Sequence, residues 1–97
     1  PDIIEKDNEI PVTRILSIDE YRVELYKKLK EECNELISAK GRENILYEVA
    51  DVFEVLKSIA ELEGMSIDDV MEASKHKRLK RGGFSKRIFL IKSMKKN

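Results

Sequence analysis

The chain has 97 residues, enough for one small domain spanning residues 1–97. It is 41% hydrophobic and 39% charged, and no apolar run approaches the roughly 20 residues that span a bilayer, so a membrane protein is excluded. The net charge is zero, but all 19 acidic residues and nine of the 19 basic ones lie at or before Glu72, so the charge is −10 up to that residue and +10 beyond it.

Residues 1–18 are predicted to form an extended or turn-like arm, because Pro11 interrupts any helix there. The apolar side chains available to anchor this arm are Val12, Ile15 and Leu16. The sequence opens on Pro1 and not on methionine, which leaves room for an upstream piece.

A first helix is predicted from about Asp19 to Ala39, with Ser17 or Asp19 as its N-cap. Its apolar residues recur at steps of three and four, which is the helical period. These residues are Leu25, Tyr26, Leu29, Cys33, Leu36 and Ile37. Gly41 is predicted to end the helix, because glycine adopts the left-handed backbone conformation at little cost.

A second helix is predicted from a cap at Asn44 to about Glu63, with Gly64 ending it in the same manner. Its apolar face is wider than a surface helix requires, which indicates a central position. The residues of that face are Ile45, Val49, Val52, Phe53, Leu56, Ile59, Ala60 and Leu62.

A capping box of Ser66 and Asp69 predicts a third helix that runs through Leu79 and ends at the glycine pair 82–83. The remaining segment, residues 84–97, reads FSKRIFLIKSMKKN and is predicted to be an extended tail that packs on the bundle or on a partner chain.

These elements predict an all-α bundle of three main helices with an N-terminal arm and a C-terminal tail. A chain this short leaves part of the second helix uncovered, so we expect a homodimer or homotetramer that completes a four-helix-bundle core. The single Cys33 cannot form an internal disulfide and no secretory segment is visible, so the expected compartment is the cytoplasm.

Acidic residues interrupt the apolar face of the second helix. Glu48 stands four positions before Val52 and seven before Val55, so it lies inside that face. Asp51 follows one turn later, at the edge of the face. A carboxylate in this position is costly unless something compensates its charge.

The first helix also carries three acidic residues near its apolar seam. Glu32 lies three positions after Leu29 and four before Leu36, so it borders the apolar seam. Glu35 is the next step round the helix, and Glu31 points further toward solvent. Taken alone, these three acids are most simply a solvated helix face.

Two helices joined by a short loop pack antiparallel, which would bring Glu32 and Glu35 opposite Glu48 and Asp51. Four facing carboxylates repel one another, so the arrangement predicts a cation between them. Oxygen ligands without His or Cys favour Mg²⁺ or Mn²⁺ over Zn²⁺. Because Mg²⁺ is commonly held by a few carboxylates and by phosphate oxygens, the pattern points to a phosphorylated ligand such as a nucleotide.

The motif resembles that of the all-α nucleoside triphosphate pyrophosphohydrolases, the MazG-like and phosphoribosyl-ATP pyrophosphohydrolase-like group. Their pattern of E-E-x-x-E followed by E-x-x-D is matched by residues 31–35 and 48–51, with twelve residues between. The stretch KRGGFSKRIFL, residues 80–90, is similar to the end of a house-cleaning branch of that group.

The resemblance implies Mg²⁺-dependent hydrolysis of a nucleoside triphosphate between its α and β phosphates, giving the monophosphate and pyrophosphate. It implies Glu32, Glu35, Glu48 and Asp51 as the metal ligands, with Mn²⁺ as a substitute ion. Glu31 would lie behind the ligands or help to orient the attacking water.

The basic end of the third helix offers Lys77 and Arg81 as candidates for binding the β and γ phosphates. The alternative is that they only offset the helix dipole. Residues 75–96 would also suit a nucleic-acid-binding module, although the zero net charge and the acidic half oppose a polyanion. A third hypothesis is a helical interaction protein without catalysis.

Overall fold

The computed structural model describes residues 10–87 and residue 91. Three helices account for most of this part of the chain: α1 spans Ile18–Ser38, α2 spans Arg42–Leu62 and α3 spans Ile67–Arg81. The described residues contain no strand, and the predicted all-α fold is confirmed. No helix in the described part of the chain combines the length and the apolar character needed to cross a bilayer.

Helices α1 and α2 form an antiparallel hairpin. Arg22, near the start of α1, lies 3.1 Å from the carboxylate of Glu63, just past the end of α2, so the two helices run in opposite directions. The apolar side chains buried in the hairpin are Leu25, Val55 and Ala60. Among the described residues, α3 packs on α2 and does not pack on α1, and none of its residues is buried.

Capping boxes open both α1 and α3: Ser17 is one of the two N-caps predicted for α1, and the box at α3 is the predicted one. The Ser17 hydroxyl accepts from the Glu20 N–H at 3.2 Å, and the Glu20 carboxylate accepts from the Ser17 N–H at 3.1 Å. Ser66 and Asp69 make the same reciprocal pair at 3.1 and 2.9 Å. Each box satisfies two N–H groups that the first turn of a helix leaves without a partner.

Gly64 ends α2 as predicted. Its φ of 77° lies in the left-handed region, which lets its N–H donate to the Glu61 carbonyl at 3.0 Å while the Met65 N–H donates to Ala60 at 2.8 Å. These two bonds form a Schellman motif, which satisfies carbonyl groups at the helix end.

The connection between α1 and α2 corrects two predictions. Gly41 does not end α1: Ala39 is the C-cap, and Gly41, with φ 89° and ψ 147°, is the N-cap of α2. Asn44 does not cap α2, which begins two residues earlier at Arg42, and the Asn44 amide donates instead to the Lys40 carbonyl at 3.0 Å. The loop is too short to hold separate signals for the two helices.

Residues 10–17 contain no helix, as predicted for the arm, but the anchor of the arm and the form of the tail differ from their predictions. Val12 and Ile15 are 99% and 97% exposed, so they do not anchor the arm on their own chain, and only Leu16 is partly buried. Residues 84–87 form a turn and not an extended segment, with the Arg87 N–H donating to the Phe84 carbonyl at 2.9 Å. Residues 1–9, 88–90 and 92–97 lie outside the described residues, and with them most of the predicted tail.

The apolar face of α2 is only partly covered. A stripe of side chains at helical spacing remains between 42% and 47% exposed, and it consists of Ile45, Val49, Phe53 and Leu56. The radius of gyration, 18.5 Å, also exceeds the ~13 Å typical of a compact domain of about 100 residues. The described chain is therefore elongated, with a small core.

Candidate metal centre

Three carboxylates from the two helices of the hairpin meet at one point and form an acidic group. One oxygen each from Glu32 on α1 and from Glu48 and Asp51 on α2 lie within 4.8 Å of one another. Glu48 and Asp51 share a face because they are one turn apart, and the antiparallel packing brings Glu32 opposite them. The spacing suits oxygen ligands that surround a single divalent ion.

The three carboxylates of this group differ in how deeply they are buried. Glu32 retains only 6% of its exposure, Glu48 is partly buried and Asp51 is exposed, so the group runs from the helix interface to solvent. The sequence placed Glu32 at the border of the seam, whereas the structure places it inside. Such a gradient leaves one side of the group open to an ion and its remaining ligands.

Two buried oxygens of this group lack a partner. Glu32 Oε2 and Glu48 Oε2 have no hydrogen-bond donor within reach. A buried carboxylate oxygen without a donor costs free energy, and a hard cation would satisfy both oxygens at once. The donor set, three carboxylates without nitrogen or sulfur, therefore fits Mg²⁺ or Mn²⁺.

Glu35, the fourth predicted ligand, lies outside the group of three, but the negative charge of that group acts on its carboxylate. The carboxylates of Glu32 and then Glu48, together with partial desolvation, raise the pKa of Glu35 above its ordinary value. The side chain lies one turn after Glu32 on α1 and is exposed. The structure thus brings three predicted ligands together and leaves the fourth at the edge of the same electrostatic field.

The charge of the group is compensated in part by a residue that the sequence reasoning missed. Lys28 Nζ lies 3.1 Å from Glu32 Oε1 and 3.8 Å from a carboxylate oxygen of Glu31. The hydrogen bond and the charge of Glu32 raise the pKa of Lys28, so its ammonium stays protonated. The available signal was its position four residues before Glu32, where helical side chains meet. Glu31 itself is exposed, as expected.

The candidate phosphate-binding residues lie on α3. Lys77 and Arg81 are both exposed, and no ion pair engages either of them within the described part of the chain. A shallow groove of about 590 Å³ lies between α2 and α3, with Phe53 and Met71 on its apolar wall. The basic residues that line it are Lys75 and Arg78, not the two that the sequence favoured.

An all-α hairpin with an acidic centre of this kind defines a candidate site for a divalent cation, and comparison with known proteins gives the family. The PRA-PH family model, described as phosphoribosyl-ATP pyrophosphohydrolase, matches residues 3–78. The chain therefore belongs to the phosphoribosyl-ATP pyrophosphohydrolase family. The matched range contains all five predicted acidic residues and Lys77, but ends before Arg81.

A curated relative agrees with this membership. The chain is 34% identical over 80 residues to the histidine biosynthesis bifunctional protein HisIE of Pyrococcus furiosus. The alignment covers 79% of this chain and 38% of the relative, so the chain spans well under half the length of the protein it matches. No solved structure gives a significant match.

Proposed function

We propose that the protein is a Mg²⁺-dependent pyrophosphohydrolase that cleaves a nucleoside triphosphate, or a derivative of one, between the α and β phosphates. The products are the monophosphate and pyrophosphate. The observation that carries the proposal is the meeting of Glu32, Glu48 and Asp51 oxygens within 4.8 Å, on a chain that belongs to a pyrophosphohydrolase family.

The proposed ligands are Glu32, Glu48 and Asp51, with Glu35 joining them at the exposed edge. Bound Mg²⁺ would neutralise phosphate charge and make an adjacent water a stronger nucleophile. The carboxylates hold the phosphates only through that charge balance, since on their own they repel a polyanion. The helix hairpin fixes their positions, which matters because positioning and charge compensation supply most of the rate in phosphoryl chemistry.

The remaining roles fall on exposed side chains. Glu31 is the proposed residue for orienting the attacking water, since it accompanies Glu32 at the same turn of α1. Lys77 and Arg81 are the proposed contacts for the β and γ phosphates, because their ammonium and guanidinium groups donate to phosphate oxygens. Substitution of each by Ala is expected to raise KM more than it lowers kcat.

The proposed substrate range follows the family. The family description specifies phosphoribosyl-ATP, which carries a triphosphate like the nucleoside triphosphates favoured by the sequence. Both belong in one panel, together with damaged nucleotides, because a house-cleaning enzyme would prefer the last of these. The rank order of kcat/KM across the panel assigns the substrate.

The deciding experiment measures pyrophosphate release from this panel with and without Mg²⁺, for the wild type and Glu48→Gln. The substitution preserves shape and deletes one ligand charge, so we expect release to require Mg²⁺ and to fall by at least a hundredfold in the variant. Glu61→Gln is the matched control: it makes the same change on an exposed residue of α2, about 20 Å further along the helix axis. Unchanged turnover in Glu48→Gln would refute the proposal.

The same proteins test the two alternatives. A nucleic-acid-binding module would bind oligonucleotides tightly, with steep salt dependence that survives Glu48→Gln. A helical interaction protein without catalysis would bind Mg²⁺ weakly or not at all and release no pyrophosphate from any member of the panel. Family membership favours the enzyme over both.

The proposed functional unit is a homodimer or homotetramer. The stripe of Ile45, Val49, Phe53 and Leu56 lies on the same helix as Glu48 and Asp51, so a second copy that covers the stripe would also border the acidic group. Light scattering on the purified protein measures the assembly. Phe53→Lys is expected to shift the mass toward the monomer, because it places a charge in the apolar stripe.

A further inference from the structure

The ion pair between Lys28 and Glu32 joins an exposed ammonium to the most buried carboxylate of the acidic group. Lys28 Nζ lies 3.1 Å from Glu32 Oε1, and its side chain keeps 55% of its exposure. We propose that Lys28 is a positioning residue that acts as a resident counter-ion: it compensates Glu32 while no divalent ion is bound, and it lowers the affinity of the site for that ion. The inference rests on the function proposed above.

The need for a resident cation follows from the burial of Glu32. A carboxylate taken out of water needs a compensating charge, and two further carboxylates within 4.8 Å increase that need. Within the described residues, Lys28 is the only basic side chain that forms an ion pair with any member of the group. Removing the Lys28 charge would therefore leave the repulsion among the three carboxylates uncompensated in the metal-free hairpin.

The geometry leaves room for a second cation. Lys28 engages Oε1 of Glu32, while Oε2 is buried without a partner, so the oxygen that remains for a divalent ion is Oε2. The two cations then share one carboxylate and repel each other. Because the lysine stem is flexible and half exposed, its ammonium can move toward Glu31 and solvent as the ion arrives.

One substitution therefore has two effects of opposite sign. Lys28→Met keeps an unbranched, flexible side chain that is one atom shorter, and removes its charge. We expect the melting temperature of the metal-free protein to fall by a few degrees, because Glu32 loses its counter-ion. We expect Mg²⁺ and Mn²⁺ to bind on the order of tenfold more tightly, because a nearby positive charge no longer opposes a divalent ion. A lysine that only supports the fold would lower both quantities or leave affinity unchanged.

The experiment uses thermal melts in EDTA and calorimetric titration with Mg²⁺ and with Mn²⁺, without substrate. Lys27→Met is the matched control: the neighbouring lysine pairs at 3.5 Å with Glu24, which lies outside the acidic group. The control is expected to change neither quantity beyond a general effect of net charge. Lys28→Arg, which restores the positive charge, is expected to return both quantities toward the wild type.

Several results would overturn the inference. Unchanged or weaker ion binding in Lys28→Met is one, and equal effects of the Lys27 and Lys28 substitutions is another. If metal-free Lys28→Met fails to fold, the inference requires saturating Mg²⁺ to restore its helical circular dichroism, and failure to do so also overturns it. A wild-type protein that binds no divalent ion refutes the proposed function as well, whereas Mg²⁺-dependent turnover with unchanged affinity in Lys28→Met refutes the counter-ion role alone.

Discussion

Glu48 is the residue whose substitution tests the acidic centre most directly without any assumption about substrate. In the metal-free protein its carboxylate faces those of Glu32 and Asp51, and its Oε2 is buried without a donor. Glu48→Gln removes the charge and supplies an amide that can donate to either neighbour. We expect the variant to be more stable than the wild type in EDTA, although it has lost part of the site.

The magnitude follows from the separation of the oxygens. Two unit charges 4.8 Å apart repel by about 1 kcal/mol in water and by about 3 kcal/mol at the effective dielectric near a protein surface. Glu48 has two such neighbours, and Lys28 offsets part of the repulsion. A net gain of about 1 to 3 kcal/mol is therefore expected in the variant, or roughly 5 to 15 °C in melting temperature for a domain of this size.

Saturating Mg²⁺ should shrink or reverse this difference in stability. An ion at 100 times its dissociation constant stabilises the folded state by about 2.7 kcal/mol, and the variant gains less because it offers one charged ligand fewer. Melts followed by circular dichroism in EDTA and in Mg²⁺, with Glu61→Gln as the control, measure both differences. If the wild type is the more stable protein in EDTA, or if Mg²⁺ raises both melting temperatures equally, the reasoning from facing carboxylates is wrong.

Three further substitutions give independent tests. Because the folded-state pKa of Glu35 is raised, chiefly by Glu32, the metal-free protein should lose stability as pH rises from about 4.5 through that pKa, and Glu35→Gln should abolish the loss in pH-dependent melts. The pKa of Glu20 is lowered to about 2, first by the Arg14 hydrogen bond, so its contribution to folding stability is complete above about pH 4.5 and disappears as the pH falls toward 2. Glu20→Gln should therefore flatten this loss of stability at acid pH in urea unfolding. Ser66→Ala should cost about 1 kcal/mol in the same assay and leave Mg²⁺ affinity unchanged, because it removes only the cap of α3.

The local signals in the sequence predicted the helix ends well where each end has its own residues. Ser17 and Ser66 open helices, and Gly64 closes one, because a cap depends on side chains and φ angles within one turn. The connection at Gly41 and Asn44 was mispredicted because two helix ends compete for three residues there. Local preference cannot decide which end takes the glycine.

The acidic centre shows the other limit of the sequence. Helical spacing alone put Glu48 on the apolar face. The burial of Glu32 depends instead on how closely α1 approaches α2, and the spacing of residues within one helix does not determine that distance. Lys28 was missed for the same reason. A lysine four residues before a glutamate is ordinary on a solvated helix, and it becomes informative only once that glutamate is known to be buried.

The position of the centre along the hairpin links its chemistry to folding. The open end of the hairpin is held by the Arg22–Glu63 ion pair and by nearby buried residues such as Leu25. Toward the loop, beyond the carboxylates, Ile37 is 80% exposed and Ile45 is 42% exposed, so less apolar burial holds the helices together there. The carboxylates repel one another there, and Lys28 offsets only part of that repulsion when no divalent ion is bound. A divalent ion would therefore supply the attraction that the core does not, and ion binding and closure of the loop end of the hairpin should occur as one step.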